Sequence, residues 1–172
     1  MTKERFIELI AAEQESLRRF LRVLCGGDGF KADDIAQETM LKAYLSFECF
    51  QGRSRFSTWL FRIACNCWYD HLKKTAGKDN WISMDDPDQS LRKEVAEVED
   101  EGHPADAEYE QQHLYMAIGS LSRQEQMVVL LFYMEDKSIK EIEAITGMPS
   151  GTVRSHLSRA RAHLRQYLEG FG

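Results

Sequence analysis

The chain has 172 residues, of which 43% are hydrophobic and 29% are charged, a composition typical of one ordinary globular domain or two small ones. It contains no run of about 18 apolar residues, and its N-terminus lacks the apolar core of a signal peptide, which argues against membrane insertion and predicts a cytoplasmic protein. The four cysteines form no CxxC pair and have no histidines at zinc-ligand spacing. We therefore expect buried thiols, with neither a metal, a cofactor nor a disulfide framework.

The formal net charge of −6 comes from one segment of the chain. Residues 1–84 hold 13 basic and 11 acidic side chains, residues 85–110 hold 2 and 11, and residues 111–172 hold 7 and 6. Because the central segment repels itself and lacks apolar periodicity, it is predicted to be a flexible linker, although a merely solvated spacer would have the same composition. We therefore divide the chain into a first domain, 1–76, an acidic linker, 77–103, and a second domain, 104–172.

The first domain is predicted to be a small helical bundle, because its apolar residues recur with the helical period and no stretch of the chain alternates as a strand does. The first helix ends at Gly26 and Gly27, and the second is capped by Asp33 or Asp34. The predicted buried stripe of the first helix is Phe6, Ile7, Ile10, Leu17, Phe20, Leu21 and Leu24. The predicted buried face of the second is Ile35, Ala36, Met40, Ala43, Tyr44 and Phe47.

Two predicted helices of the first domain also carry a polar face. On the second helix, Asp34, Gln37 and Glu38 share the outer side with Leu41, at spacings of three and four. A third helix, roughly 56–75, follows the loop 51–55. Its apolar side consists of Phe56, Trp59, Leu60, Ile63, Ala64 and Cys67, and its polar ridge of Arg62, Asn66, Asp70, Lys73 and Lys74.

The second domain is also predicted to be helical, so the whole chain is expected to be all-α. Its first helix begins near Pro104 and buries Tyr109, Leu114, Ala117, Ile118 and Leu121. Two capping boxes, Ser122 with Glu125 and Ser138 with Glu141, mark further helix starts. The remaining helices are predicted at about 122–135, 138–146 and 150–168, with a turn at 147–149.

The last predicted helix has a basic outer face, since residues 150–165 carry four arginines and no acid. On a helical wheel, Val153, Leu157, Ala160 and Leu164 form the core side. The outward side chains are Arg154, Ser155, Ser158, Arg159 and Arg165. Together with the short capped helix and the turn before it, this pattern predicts a helix-turn-helix, whose second helix enters the major groove of DNA. A basic solvated helix is the alternative.

Such a helix has the chemistry to bind DNA. Arginine can form a forked pair of hydrogen bonds with guanine, and serine can bind base edges or phosphate. The amides near Gly151 and Thr152, at the positive end of the helix dipole, suit a phosphate group.

Two stretches of the chain resemble one known family, the extracytoplasmic-function (ECF, group 4) sigma factors of the sigma-70 family. SGTVRSHLSRAR at 150–161, with LSRQE at 121–125, is similar to the region of that family that recognises the promoter −35 element. ADDIAQETMLKAY at 32–44 resembles its polymerase-binding helix. FQGRSRFSTWLFRIACN at 50–66, continuing to DHLKK at 70–74, resembles its −10 recognition loop and the helix after it.

The resemblance implies a role for each polar face. Asp34, Gln37 and Glu38 would bind the clamp helices of the polymerase largest subunit. The −10 element would be bound by Gln51, Gly52, Arg53, Ser54, Arg55 and Asn66, with Lys73 and Lys74 along the strand. The −35 element would be bound by Gly151, Thr152, Arg154, Ser155, Ser158, Arg159 and Arg165. Trp59 is expected to belong to the core, whereas Trp68 and Tyr69 could either pack or meet single-stranded DNA.

Three residues depart from the pattern of the family. Glu143 replaces a small residue, which would be unfavourable if that position were buried. His156 stands where arginine is common, so one phosphate contact would depend on pH. Trp68 stands where smaller residues are usual.

We expect a promoter-specificity subunit with core RNA polymerase, promoter DNA and an anti-sigma factor as partners, and with no small-molecule substrate. One rival is a free-standing helix-turn-helix regulator that binds a palindrome as a dimer. A second is an interaction protein, such as a sigma mimic, in which the basic helix is vestigial. An enzyme has little support, since no paired carboxylates, nucleophile with a base, or phosphate loop is present in the sequence.

Overall fold

The structure is a computed structural model that describes residues 2–76 and 113–170, and every regular element in these two ranges is a helix. The predicted linker, 77–103, and the start of the second domain, with Pro104 and Tyr109, lie outside the described residues. The all-α prediction is confirmed. None of the described helices combines the length and the apolarity needed to cross a membrane.

The N-terminal half consists of α1 (Lys3–Leu24), α2 (Gly29–Ser46), a 3-10 turn (Phe47–Cys49) and α3 (Phe56–Ala76). In the described part of the C-terminal half, residues 113–119 are helical and are called α4. It continues with α5 (Arg123–Val129), which runs into a π-helical turn (Leu130–Met134), α6 (Ile139–Thr146) and α7 (Ser150–Glu169). The predicted helix bounds agree closely with those of α3, of α5 with its π-helical turn, of α6 and of α7, whereas the predicted helix start near Pro104 lies outside the described residues.

Helices α1, α2 and α3 pack against one another around an aromatic core. The ring of Phe6 contacts Tyr44 and Phe47, and the ring of Phe20 meets Phe61 edge-on at 5.1 Å between centroids. Three residues predicted to be buried are in fact exposed: Ile7 by 58%, Tyr44 by 46% and Leu114 by 47%. Tyr44 keeps its ring edge on Phe6, so it lies at the rim of the core.

Helix α2 begins at Gly29, earlier than a cap at Asp33 or Asp34 would allow. Asp28 is the N-cap, and its Oδ1 accepts a hydrogen bond from the Lys31 amide at 3.1 Å. Asp33 and Asp34 therefore lie inside the helix, and the prediction that one of them caps it is wrong. Asp28 follows Gly26 and Gly27 directly, both of which have positive φ and reverse the chain after α1, so the cap is fixed by the turn before it.

The helix-turn-helix of the C-terminal half is built by its caps. Ser138 and Glu141 form a complete capping box at the start of α6, as predicted. Gly147 ends α6 with a φ of +78°, a conformation that strongly favours glycine. The box at Ser122 is only half formed, since Glu125 turns its carboxylate to His163 Nδ1, 2.8 Å away. That pair fastens α7 to α5.

Helix α3 belongs to the cores of both halves. It packs against α1 and α2 on one side and against α6 on the other. Phe56, Leu60, Phe61, Ala64, Cys65, Cys67 and Trp68 are all buried along it. The two halves thus form one continuous apolar core over the described residues.

Candidate nucleic-acid interface

Helix α7 turns its predicted DNA-reading side chains outward. Val153, Leu157 and Ala160 are buried, and Leu164 is partly buried, as the wheel predicted. Gly151, Arg154, Ser155, Ser158, Arg159 and Arg165 are exposed, and Thr152 is half-buried. The structure therefore presents the predicted −35 residues on one accessible surface without an acidic side chain among them.

Arg161 differs from the other arginines of α7, because it is tied to the body of the C-terminal half. Its Nε donates to the Tyr133 hydroxyl at 2.6 Å, and its guanidinium lies over the rings of Phe132 and Tyr133, 5.8 and 5.6 Å from their centroids. Arg161 thus helps to position the helix, while Arg154 and Arg159 are exposed on its outer side.

A cleft of about 280 Å³ opens beside the N-terminus of α7. Its lining consists of Ser122, Gln124, Glu125, Gly151, Thr152, Ser155, His156 and Arg159. His156 is only 8% exposed, and its Nδ1 lies 3.4 Å from Arg159 Nη2. His156 therefore lines the floor of the cleft instead of projecting from the surface. The departure at Glu143 is accommodated simply, because that side chain is exposed.

The predicted −10 loop, 51–55, is exposed over its whole length. Gly52 has a φ of +71°, so a side chain at this position would strain the loop. Beneath the loop lies a cluster of aromatic rings, in which Phe50 and Trp59 are 5.1 Å apart and Phe56 contacts both. Trp59 is confirmed as a packing residue, and the cluster anchors both ends of the loop.

The predicted polar ridge of α3 is present in the structure. Arg62, Asn66, Asp70, Lys73 and Lys74 are all exposed on a helix that is otherwise almost entirely covered. The ridge leads away from the loop, so the loop and the two lysines lie at opposite ends of one polar strip.

Trp68 and Tyr69 of α3, which the sequence left between packing and contact with single-stranded DNA, both pack in this structure. Trp68 is 2% exposed, and its ring stacks obliquely on Tyr69 at 5.1 Å. The Tyr69 hydroxyl is buried and has no hydrogen-bond partner in the described part of the chain. Burial raises the pKa of this hydroxyl well above its usual range. In this conformation neither ring is available to DNA.

The predicted polymerase-binding ridge on α2 contains two exposed side chains and one that is paired with neighbouring residues. Asp34 and Gln37 are exposed. Glu38 accepts from His71 Nε2 at 2.8 Å and lies 3.3 Å from Lys42 Nζ. The hydrogen bond with His71, supported by Lys42, lowers the pKa of the Glu38 carboxyl. Glu38 is thus held ionised and fixed in orientation by α3.

Sequence reasoning missed the apolar part of this surface. Phe30 is 89% exposed and Leu45 71% exposed, beside the exposed Leu41. Leu45 follows Leu41 by four residues, so the same helical spacing that grouped Leu41 with the polar ridge would have included Leu45. An exposed apolar strip beside a polar one is typical of a protein-binding surface.

Comparison with known proteins assigns the two halves. Residues 9–77 match the family described as sigma-70 region 2, and residues 111–164 match sigma-70 region 4. The chain is 32% identical over 155 residues to the ECF RNA polymerase sigma factor SigW of Bacillus subtilis, covering 83% of this chain and 78% of that protein. The chain belongs to the ECF sigma factors. The resemblance noted in the sequence is thereby confirmed.

Other relatives of this ECF sigma factor agree. The ECF RNA polymerase sigma-E factor of Escherichia coli strain K12 is 31% identical over 131 residues, which cover 74% of this sigma factor and 69% of the relative. The sigma factor RpoE in complex with the anti-sigma factor NepR from Bartonella quintana has a TM-score of 0.73 at 25% identity, covering 96% and 98% of the two chains. CnrH, solved with the cytosolic domain of CnrY, has a TM-score of 0.72 at 22% identity, covering 99% and 92%, and supports the fold.

Proposed function

We propose that this sigma factor binds core RNA polymerase in the cytoplasm and directs it to promoters through separate contacts with the −10 and −35 elements. The observation that carries the proposal is the exposed, acid-free arginine and serine face of α7, on the same chain as the exposed loop 51–55. Polymerase supplies the phosphoryl-transfer chemistry, and this chain supplies promoter recognition. The first domain, 1–76, binds the −10 element and the second, 104–172, binds the −35 element.

For the −35 element, α7 enters the major groove as the second helix of the motif. Arg154 and Arg159 lie five residues apart on the exposed face, where each can reach a base edge or a phosphate. Ser155 and Ser158 lie between them. The amides near Gly151 and Thr152 sit at the positive end of α7, a favourable place for a backbone phosphate.

For the −10 element, the loop 51–55 receives a base flipped out of the opened duplex. A flipped base needs hydrogen-bond donors at a fixed pocket and cations for the strand that leads to it. Arg53 and Arg55 provide charge within the loop, and Asn66, Lys73 and Lys74 continue the polar strip along α3. The aromatic cluster below the loop holds both ends of the loop in place.

For the polymerase, Asp34, Gln37 and Glu38 form the polar part of the contact, and Leu41 and Leu45 form the apolar part. Because His71 and Lys42 hold the Glu38 carboxylate in place, little side-chain entropy is lost when a partner binds it. An anti-sigma factor is a further expected partner, since the related RpoE was solved with one.

Binding to DNA with and without polymerase tests the proposal against its nearest rival. A fluorescent promoter fragment should bind this chain weakly alone and strongly when core polymerase is added. Tight binding to naked DNA by a dimer, with half-sites about one helical turn apart, would instead support the free-standing helix-turn-helix regulator.

A further inference from the structure

The cleft beside the N-terminus of α7 contains groups with opposite effects on a DNA phosphate. Gly151 and Thr152, in the first turn of α7, line it together with Arg159, and their amides and the guanidinium attract an anion. Among the described residues that line the cleft, Glu125 of α5 is the one with a carboxylate. An ionised carboxylate at this place repels the same phosphate.

The Glu125 carboxylate is bonded to His163 of α7. Its Oε2 lies 2.8 Å from His163 Nδ1, and the Glu125 side chain is 4% exposed. Because an ionised carboxylate only accepts hydrogen bonds, Nδ1 donates in this pair, and a protonated imidazole would also cancel the charge. His163 is thus the kind of partner that a nearly buried carboxylate requires.

His163 belongs to the side of α7 that borders the cleft. One row along the helix consists of Thr152, His156, Arg159 and His163, at intervals of four, three and four residues. The first three line the cleft, and His163 lies one turn further along the same row. The row therefore carries groups that attract a phosphate and, next to them, the group that holds the opposing charge.

We propose that His163 is a positioning residue of the −35 contact, which holds the Glu125 carboxylate so that its charge does not oppose a DNA phosphate in the cleft. The inference rests on the proposed function, because it concerns the DNA contact of α7. The same pair also fastens α7 to α5. The two roles predict different results when the carboxylate is removed, since only the charge role makes His163 dispensable.

Single substitutions test the two partners separately. In the holoenzyme, His163→Ala leaves the carboxylate without its partner, so the dissociation constant for a promoter fragment should rise about three- to tenfold. Glu125→Gln removes the charge and keeps the shape, so binding should equal that of the wild type or be up to about threefold tighter. Gln166→Ala, at an exposed position of α7, is the matched control and should change nothing.

The measurement is fluorescence anisotropy with core polymerase, the full-length chain and a −35-dependent promoter fragment selected by run-off transcription with the wild-type protein. The ratio between the dissociation constants of His163→Ala and the wild type should fall toward one as salt is raised, because repulsion between charges is screened. Circular dichroism should show wild-type helical content for every variant at the assay temperature.

The double variant Glu125→Gln with His163→Ala separates the charge effect from fastening. Once the carboxylate is gone, His163 has no charge to hold, so the double variant should bind the promoter fragment at least as tightly as the wild type. If the pair served only to fasten α7, the double variant would lack the fastening and would bind more weakly than the wild type.

Two results would overturn the inference at a promoter that the wild-type holoenzyme uses. One is unchanged binding by His163→Ala, and the other is a double variant that binds more weakly than the wild type. Failure of the proposed function is a different result, since the wild-type holoenzyme would then show no promoter-dependent binding or transcription, and both proposals would fall together.

Discussion

Among single residues, the four arginines of α7 between 150 and 165 have different roles. Arg154 and Arg159 are exposed, and Arg159 contacts Ser155 and His156 of its own helix. Arg161, in contrast, is bonded to the Tyr133 hydroxyl and lies on two aromatic rings. A count of arginines treats all of them as similar, whereas the helical wheel already left Arg161 out of the outward set. The structure therefore separates Arg161, which fastens α7 to Phe132 and Tyr133, from the exposed arginines that we propose bind the −35 element.

Substitution of Arg154 and Arg161 should separate these roles. Arg154→Ala should reduce initiation at −35-dependent promoters by about tenfold or more, in line with the ~1–3 kcal/mol that a good base contact contributes, and leave the melting temperature unchanged. Arg161→Ala should lower the melting temperature by a few degrees, since a cation–π contact contributes about 0.5–1 kcal/mol. Transcription assays and thermal unfolding measure both. Equal effects of the two variants in both assays would contradict the assignment.

Glu38 is the residue on which the polymerase contact should depend most directly. Glu38→Gln removes a carboxylate that His71 and Lys42 hold in place, so the affinity for core polymerase should fall about tenfold. Initiation should then be reduced to the same extent at every promoter. Glu15→Gln, at an exposed position of α1, is the matched control. Fluorescence anisotropy with core polymerase measures the affinity, and transcription assays compare the promoters. A loss of initiation restricted to one promoter class would argue against the role.

Among the helices and turns, the connection between α6 and α7 determines the direction of α7, the helix that we propose binds the −35 element. Gly147 has a φ of +78°, and a methyl group added to its Cα would meet no atom within 4 Å, so its substitution is costly for backbone reasons alone. Gly147→Ala should lower the free energy of unfolding by about 1–2 kcal/mol. Gly29→Ala, at the ordinary backbone conformation of the first residue of α2, should be neutral or stabilising. Thermal or urea unfolding checks the pair, and equal losses would contradict the argument.

Most helix boundaries could be predicted from the sequence, because they are set by local chemistry. Ser138, Glu141 and Gly147 fix α6 through a capping box and a left-handed cap that involve only neighbouring residues. The start of α2 was predicted wrongly, because several aspartates compete for the cap and the preceding glycine turn favours Asp28. The outward positions of α7 followed from periodicity, whereas the −10 role of loop 51–55 came from the resemblance to the family. Both sets of residues are accessible in the structure, and their binding roles stay predictions.

The second face of α3 could not be assigned from one helical stripe. Phe61, Cys65 and Trp68 lie outside the predicted apolar side, yet all are at most 2% exposed. Their apolar character was visible in the sequence, and a helix that is apolar on most of its circumference is typically buried on several sides. What the sequence lacked was the partner, since the contacts with Met127 and Lys137 span more than sixty residues.

For the molecule as a whole, the closed arrangement, in which the two halves share one apolar core, should respond to pH through Glu135. This carboxyl lies at the junction of the halves, and its side chain is 6% exposed. Its Oε1 lies 4.0 Å from Arg19 Nη2 and has no hydrogen-bond partner among the described residues. Burial raises the pKa of Glu135 above its ordinary value, and the raising effects of Glu13 and Asp136 are opposed by Arg19 and Lys137. Because the closed form favours the protonated carboxyl, this contribution to closure is present at low pH and is lost as pH rises through the raised pKa.

Lowering the pH from neutral toward the ordinary pKa of a glutamate carboxyl should therefore shift the free protein toward its closed form. In Glu135→Gln, which resembles the protonated carboxyl at every pH, closure should be stronger at neutral pH and this pH response should disappear. Small-angle scattering of both proteins across the range measures the effect. An identical pH response in the two proteins would assign it to other groups, such as the histidines.

The central claim is that one chain provides promoter recognition to RNA polymerase through two separated contacts. Run-off transcription with purified core polymerase on a library of genomic fragments tests it most directly. We predict new start sites that require this protein, with initiation reduced at the −35 end by Arg154→Ala and at the −10 end by Arg53→Ala. A folded protein that binds polymerase and yet yields no new start sites would contradict the account.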